Sequence, residues 1–111
     1  GANCLGCARE AHALSVDYAK QRQTFGKSIG ENQAIQWMLA DSATEIFAME
    51  SLVYRTAWMC DQREPFARES AMTKLFCSEA LDRIVDHSGV IGSRVRYLLT
   101  GDPSHLAAEL R

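Results

Sequence analysis

Apolar residues recur every three or four positions along most of the chain, and this period predicts helices. The clearest run is Ile35, Leu39, Ser42, Ile46, Met49, Val53, Ala57 and Cys60, in which only Ser42 interrupts the apolar line. It predicts a helix from about Glu31 to Cys60, about eight turns long. A rod of that length needs tertiary support, as in a bundle. Ahead of it, Cys7, Ala11, Leu14 and Tyr18 share one helical face and predict a first helix over Ala2–Gln21. Lys20 and Arg22 near its end suit the negative end of the helix dipole, and Gly26 is a natural stop.

"DQREP" breaks the pattern, and Pro65 suits a first helical turn. A third helix is expected from Pro65 to about His87. Its apolar residues, among them Met72, Leu75, Cys77, Ala80, Ile84 and Val85, cover more than half the circumference. Such a helix is buried between neighbours or against another chain. "SGVIGS", with Gly89 and Gly92, reads as its end and a turn, and a short helical piece follows from Arg94 to Leu99. Asp102 as N-cap and Pro103 at the first position then open a short fourth helix, with Leu106, Ala107 and Leu110 on its apolar face. Nothing alternates with period two, so no strands are expected. The pattern predicts an all-α protein: one up-and-down antiparallel helical bundle over residues 1–111, its fourth helix short.

Composition narrows the function. The net charge of −2, without a Lys/Arg cluster, argues against a nucleic-acid binder. No apolar run is long enough to span a membrane. The opening "GANCLGCARE" has no basic, apolar signal pattern, so a cytoplasmic protein with reduced thiols is expected. Cys4 and Cys7 form a C-x-x-C, but no strand precedes it and no second ligand pair follows. The cysteines read as small buried helix residues, with a thiol or metal module as the alternative. Glu-x-x-His pairs of a di-metal bundle are absent; the nearest approach, Asp102 and His105, lies in a capped turn. No phosphate loop or nucleophile elbow occurs.

The break between the first two helices, "RQTFGKSIGENQ", carries more chemistry than a turn requires. One reading is purely structural: Arg22 caps a helix end, Phe25 packs on the bundle, Gly26 turns the chain and Glu31 starts the next helix. The other is an anion-binding corner. Arg22 offers a forked guanidinium for phosphate oxygens, and the Thr24 hydroxyl can donate to the same group. Phe25 can present a face to a flat ring, and the Gln33 amide can meet a heterocycle edge.

"YAKQRQTFGKSIGENQAIQWMLAD", residues 18 to 41, closely resembles the start of the C-terminal helical domain of the acyl-CoA dehydrogenases. Tyr18, Arg22, Phe25, Gly26, Ile29, Gln33, Leu39, Ala40 and Asp41 fit the family pattern. "ARESAMTKLFCSEALDRIVD", residues 67 to 86, is similar to the family's next helix. The resemblance implies FAD as cofactor, acyl-CoA thioesters as substrates, oxidation to enoyl-CoA, and an electron-transfer flavoprotein as electron acceptor. It also implies oligomers in which this domain reaches the FAD of a neighbouring subunit. On that basis Arg22 and Thr24 hold the FAD pyrophosphate, Phe25 packs on the cofactor, and Asn32 and Gln33 lie near the adenosine half. Gly89 belongs to a second FAD segment, here "DHSGVIG". There Asp86 and Val90 replace the family's glutamine and second glycine, bringing a like charge and a side chain toward the cofactor.

No residue matches the family's catalytic Glu, and nothing matches its other two domains. The chain is therefore expected to be inactive alone, as part of a longer acyl-CoA dehydrogenase-like protein. The alternative is a non-catalytic helical scaffold subunit derived from that family.

Overall fold

The helical period folds as expected over most of its length, with one addition at the first break. In the computed structural model, residues 1–100 are described, with side chains through Gly92. The order is α1 (Ala2–Gln21), β1 (Gln23–Thr24), β2 (Lys27–Ser28), a 3-10 turn (Ile29–Glu31), α2 (Gln33–Asp61) and α3 (Ala67–Thr100). The expected fourth helix at Asp102–Leu110 lies outside the described residues.

Cross-helix hydrogen bonds set the directions. Ser15 Oγ meets Ser88 Oγ at 2.8 Å, Ser42 Oγ meets His87 Nδ1 at 3.2 Å, and Thr56 Oγ1 meets Thr73 Oγ1 at 2.9 Å. Positions therefore rise together on α1 and α3 and fall on α2, an up-down-up arrangement. Two apolar clusters fill it. One joins Leu5 and Ala8 of α1, Ile46 and Met49 of α2, and Cys77, Ala80 and Ile84 of α3. The other, at the end where α1 meets α2, joins Ala19, Ile29, Ile35 and Ile91. The Ser15–Ser88 and Ser42–His87 pairs lie between them. Each hydroxyl there has a partner, so the polar layer is buried without orphaned donors.

Several expectations need correction. On α1 the inward stripe is Leu5, Ala8, Ser15 and Ala19, whereas Cys7, Leu14 and Tyr18 are exposed. The small residues face the core because they let α1 approach α3 closely, and the larger apolar residues are left outside. On α2 the expected stripe is buried or half-buried from Ile35 to Val53, but Ala57 and Cys60 are exposed and Met59 turns inward. Of the cysteines only Cys77 is buried; Cys7 and Cys60 are exposed, and all four are free. Burial pushes the Cys77 thiol pKa up, which keeps it neutral. On α3, Met72, Leu75 and Val85 are exposed.

The largest correction concerns "SGVIGS". Instead of ending there, α3 runs through Gly89 and Gly92 to Thr100 and takes in the piece expected at Arg94–Leu99. Each glycine costs a helix about 1 kcal/mol relative to alanine. Ile91, 1% exposed between them, packs with Ala19, Ile29 and Ile35 and anchors that turn. A single buried isoleucine is worth about 1.5–3 kcal/mol, enough to offset the glycines.

Two outcomes test this packing. Met49 is fully buried, so Met49→Ala is expected to cost about 2–5 kcal/mol in chemical denaturation. His12, on α1, is half-buried; among the described residues its Nδ1 has no hydrogen-bond partner, and burial lowers its pKa below the ordinary 6.5. The unfolded chain then binds a proton more readily than the folded one. The His12 contribution to stability is complete above pH 6.5 and is lost as pH falls through the lowered folded value. Thermal melts between pH 7 and pH 5 should show a drop that is smaller in His12→Gln.

Candidate functional site

The corner between α1 and α2 contains five of the six residues singled out by sequence. It is a small hairpin rather than a plain linker, which corrects the expectation of no strands. Helix α1 stops at Gln21, as its periodicity predicts, and Arg22 leaves it with extended backbone (φ −74°, ψ 128°). Gln23 then pairs with Ser28, and Thr24 with Lys27. The two residues between them, Phe25 and Gly26, have φ of 54° and 79°. Two successive positive φ values are the requirement of a tight two-residue hairpin turn. Glycine meets it freely. Phenylalanine does so under strain, since an L-residue in this region costs about 1–2 kcal/mol.

Hydrogen bonds hold the hairpin on the bundle. The Ser28 hydroxyl donates to the Ala19 carbonyl at 2.6 Å and accepts from the Gly30 amide at 3.2 Å. The Ile29 amide donates to the Arg22 carbonyl at 2.9 Å, and the Gln36 side chain donates to the Gly30 carbonyl at 2.9 Å. A side chain at Gly30 would sit 3.2 Å from the Ala19 carbonyl oxygen, so glycine permits this close approach. Ile29, 3% exposed, plugs into the cluster of Ala19, Ile35 and Ile91. Ser28, Ile29, Gly30 and Gln36 are positioning residues that the sequence reading did not single out. Gly26 was a partial signal for a turn, but the marked two-residue hairpin pairs are Asn-Gly, Asp-Gly and Gly-Gly, and Phe-Gly is not one of them.

The chemical groups are disposed as follows. Arg22 is half-buried; among the described residues its Nε is buried with no hydrogen-bond partner. A guanidinium donor left unpaired there is ready for an acceptor from outside the chain. Thr24 is half-buried. Phe25 is 89% exposed, so it does not pack on the bundle, as the purely structural reading required. Asn32 is the N-cap of α2, its Oδ1 accepting from the Ala34 amide at 2.9 Å, which leaves its amide nitrogen for other partners. Gln33, not Glu31, is the first residue of α2, and its side chain is exposed. Lys20 and Lys27 add exposed cations on either side of Arg22 in the chain.

Gly89 is not part of the corner itself. It lies on α3 two residues before Ile91, about 200° around the helix from the face that packs on Ile29. It is exposed, and a Cβ built there would meet nothing within 4 Å. Packing within this chain therefore does not require a glycine at that position.

Among the described residues, two surface grooves lie elsewhere. One, of about 440 Å³, runs between α1 and α3 past Leu14, Tyr18, Ser88 and Gly92. The other, of about 380 Å³, lies at the opposite end near Cys60, Phe66 and Thr73. Neither is lined by a predicted cofactor residue. Among the described residues no three His, Cys, Asp or Glu side chains cluster to hold a metal ion, and no helix is long and apolar enough to cross a membrane.

Known proteins are similar to this chain in sequence and fold. The acyl-CoA dehydrogenase C-terminal domain, as a family profile, matches residues 1–93. Benzylmalonyl-CoA dehydrogenase of Aromatoleum aromaticum is 43% identical over 99 residues, which covers 89% of this chain and 26% of that protein. A chain in a structure of the electron transferring flavoprotein of Acidaminococcus fermentans superposes with a TM-score of 0.80 at 34% identity, over 96% of this chain and 29% of that one. A chain of the FAD complex of PigA does so with a TM-score of 0.70 at 27% identity, over 96% and 26%. The chain thus spans only about a quarter of the length of these relatives.

The strain at Phe25 and the clamp at Ser28 can be measured. Phe25→Asn keeps the turn, relieves a left-handed phenylalanine and loses little packing, so it should raise stability by up to about 1 kcal/mol. Ser28→Ala leaves the Gly30 amide without its acceptor and should lower stability by about 1–2 kcal/mol. Urea denaturation of both variants checks the pair.

Proposed function

The chain belongs to the acyl-CoA dehydrogenase family, as its C-terminal domain, and on that footing we propose that it supplies half of an FAD site to a neighbouring subunit and takes part in oligomerisation. The observation that carries this reading is the buried, unpartnered Nε of Arg22 beside an exposed, strained Phe25. A chain folding only for itself gains nothing from either feature. In this reading the Arg22 guanidinium and Thr24 hydroxyl hold the pyrophosphate of FAD, and the Phe25 ring lies against the cofactor. The Asn32 and Gln33 amides meet the adenosine half, and Gly89 leaves open backbone on α3 for a second approach. The residues fit such a group: a fork of donors, a free aromatic face, two amides and nearby lysines. Asp86, exposed and three residues before Gly89, is a charge opposed to a phosphate there.

When bound, FAD supplies the electron acceptor for α,β-dehydrogenation of an acyl-CoA thioester, with an electron-transfer flavoprotein as the next carrier. The chain's own part is to bind and orient. It offers no carboxylate base matched to the family's, so residues 1–111 are expected to be inactive alone and to act within a longer protein. The four free cysteines suit a reducing compartment, and we place the protein in the cytoplasm.

The alternative, a non-catalytic helical scaffold subunit derived from the family, is favoured by the unmatched base and by Asp86 and Val90. Flavin retention separates the two. In the longer flavin-bearing protein, Arg22→Ala removes charge-assisted hydrogen bonds and should weaken FAD retention about 10- to 100-fold, with Arg22→Lys intermediate. Gly89→Ala should raise helix stability by about 1 kcal/mol while lowering flavin content. Unchanged flavin in both variants would favour the scaffold.

A further inference from the structure

The C-x-x-C at the start of α1 has no part in the flavin corner, and neither has Cys77 of α3. The register of the two helices brings these sulfurs together. Ser15 Oγ of α1 meets Ser88 Oγ of α3 at 2.8 Å, across a separation of 73 positions in sequence. Cys4 and Cys77 have the same separation, eleven positions earlier on each helix. Eleven residues are about three turns, within about 20° of a whole number of them. Helices that rise side by side therefore turn Cys4 and Cys77 toward each other as they do the two serines.

Packing keeps the helices close at this level. A Cβ built on Gly1 would stand 3.0 Å from Thr73 Cγ2 and 3.9 Å from Cys77 Sγ. Ala8 of α1 and Ala80 of α3 are fully buried in the cluster that holds Cys77, and Cys4 packs against that cluster. A disulfide needs Cα atoms about 4.4–6.8 Å apart, and small residues on facing helices permit such an approach. Burial raises the Cys77 pKa most, and a charge on Cys4 raises it further, so the two sulfurs act on one another. Access is graded: Cys7 is exposed, Cys4 half-buried and Cys77 buried, all with free thiols.

We propose that Cys4 and Cys77 form a redox-modified pair, which a small-molecule disulfide of the glutathione type converts into a disulfide joining α1 to α3. The Cys4 thiolate attacks one sulfur of the small disulfide. That S–S bond breaks, a mixed disulfide forms on Cys4, and one small thiol leaves with the proton that Cys4 gave up. Cys77 then loses its proton and attacks the Cys4 sulfur. The mixed bond breaks, and a second small thiol leaves with that proton. The two cysteines are oxidised by two electrons, and the small disulfide is reduced to two thiols. Cys77 holds little thiolate at neutral pH, so closure is the slow step. The product staples α1 to α3 at the end of the bundle away from the corner. Such bonds in a reducing compartment are transient and report on the thiol pool.

The test uses the longer flavin-bearing protein, native, exposed to oxidised glutathione and quenched with N-ethylmaleimide before trypsin digestion. Mass spectrometry should find the peptide ending at Arg9 linked to Leu75–Arg83, and dithiothreitol should release it. Cys4→Ala and Cys77→Ala should each abolish the link, and Cys7→Ser should keep it. Cys4→Ala decides the matter if Cys77→Ala loses its fold, because Cys4 is only half-buried. A wild-type protein without the linked peptide, or one that stops at glutathione on Cys4, overturns the pair. A link that survives Cys4→Ala, or is lost in Cys7→Ser, overturns it too and assigns the chemistry to Cys7. The readout is a covalent mass, independent of flavin retention and of the role of Arg22.

Discussion

The clamp between the Ser28 hydroxyl and the Ala19 carbonyl governs the rest of the site. It ties the hairpin to a carbonyl near the C-terminal end of α1, which the helix leaves without an internal partner. Ile29, immediately after, enters the cluster of Ala19, Ile35 and Ile91, so one short stretch is held by a hydrogen bond and by apolar burial. With Ile29 fixed, the hairpin can only project outward, and Phe25 stands at its tip. The same cluster anchors the turn of α3 that holds Gly89 and Gly92. Corner and glycine segment are therefore positioned by one small core, although they present different faces.

The strain at Phe25 fits this division. A clamped base lets a hairpin tip hold a conformation that an isolated turn would abandon. The energy for that comes from Ile29 and Ser28, not from Phe25, whose ring touches little of its own chain. Arg22 shows the same pattern at the other end of the hairpin. Its backbone carbonyl accepts from Ile29, so its main chain is committed, while its side-chain Nε remains unpaired. Structure is made by backbone and small side chains here, and the larger groups are left for contact with something else.

Much of this was legible in the sequence, and the failures have physical causes. The limits of α1 and the length of α2 follow from periodicity, which is reliable over long runs. The inward face of α1 does not, because its core positions are Ala8, Ser15 and Ala19. A reading weighted by size selects Leu14 and Tyr18 instead. Gly89 and Gly92 look like a helix end because their local cost is real, but Ile91 outweighs it through partners 56 to 72 positions away in sequence. The hairpin escaped notice because its strands have two residues each, too few to alternate. The candidate site was legible by another route. The R-x-x-F-G pattern pointed to Arg22, Thr24 and Phe25, whereas nothing in composition identified Ser28 or Gln36 as their support.

The most direct measurement is a structure of the complete flavin-bearing protein, read at Arg22. The account predicts an FAD phosphate oxygen, from a cofactor held by a neighbouring subunit, within about 2.7–2.9 Å of the guanidinium. A guanidinium folded back onto carbonyls of its own chain, with no phosphate in reach, would contradict it.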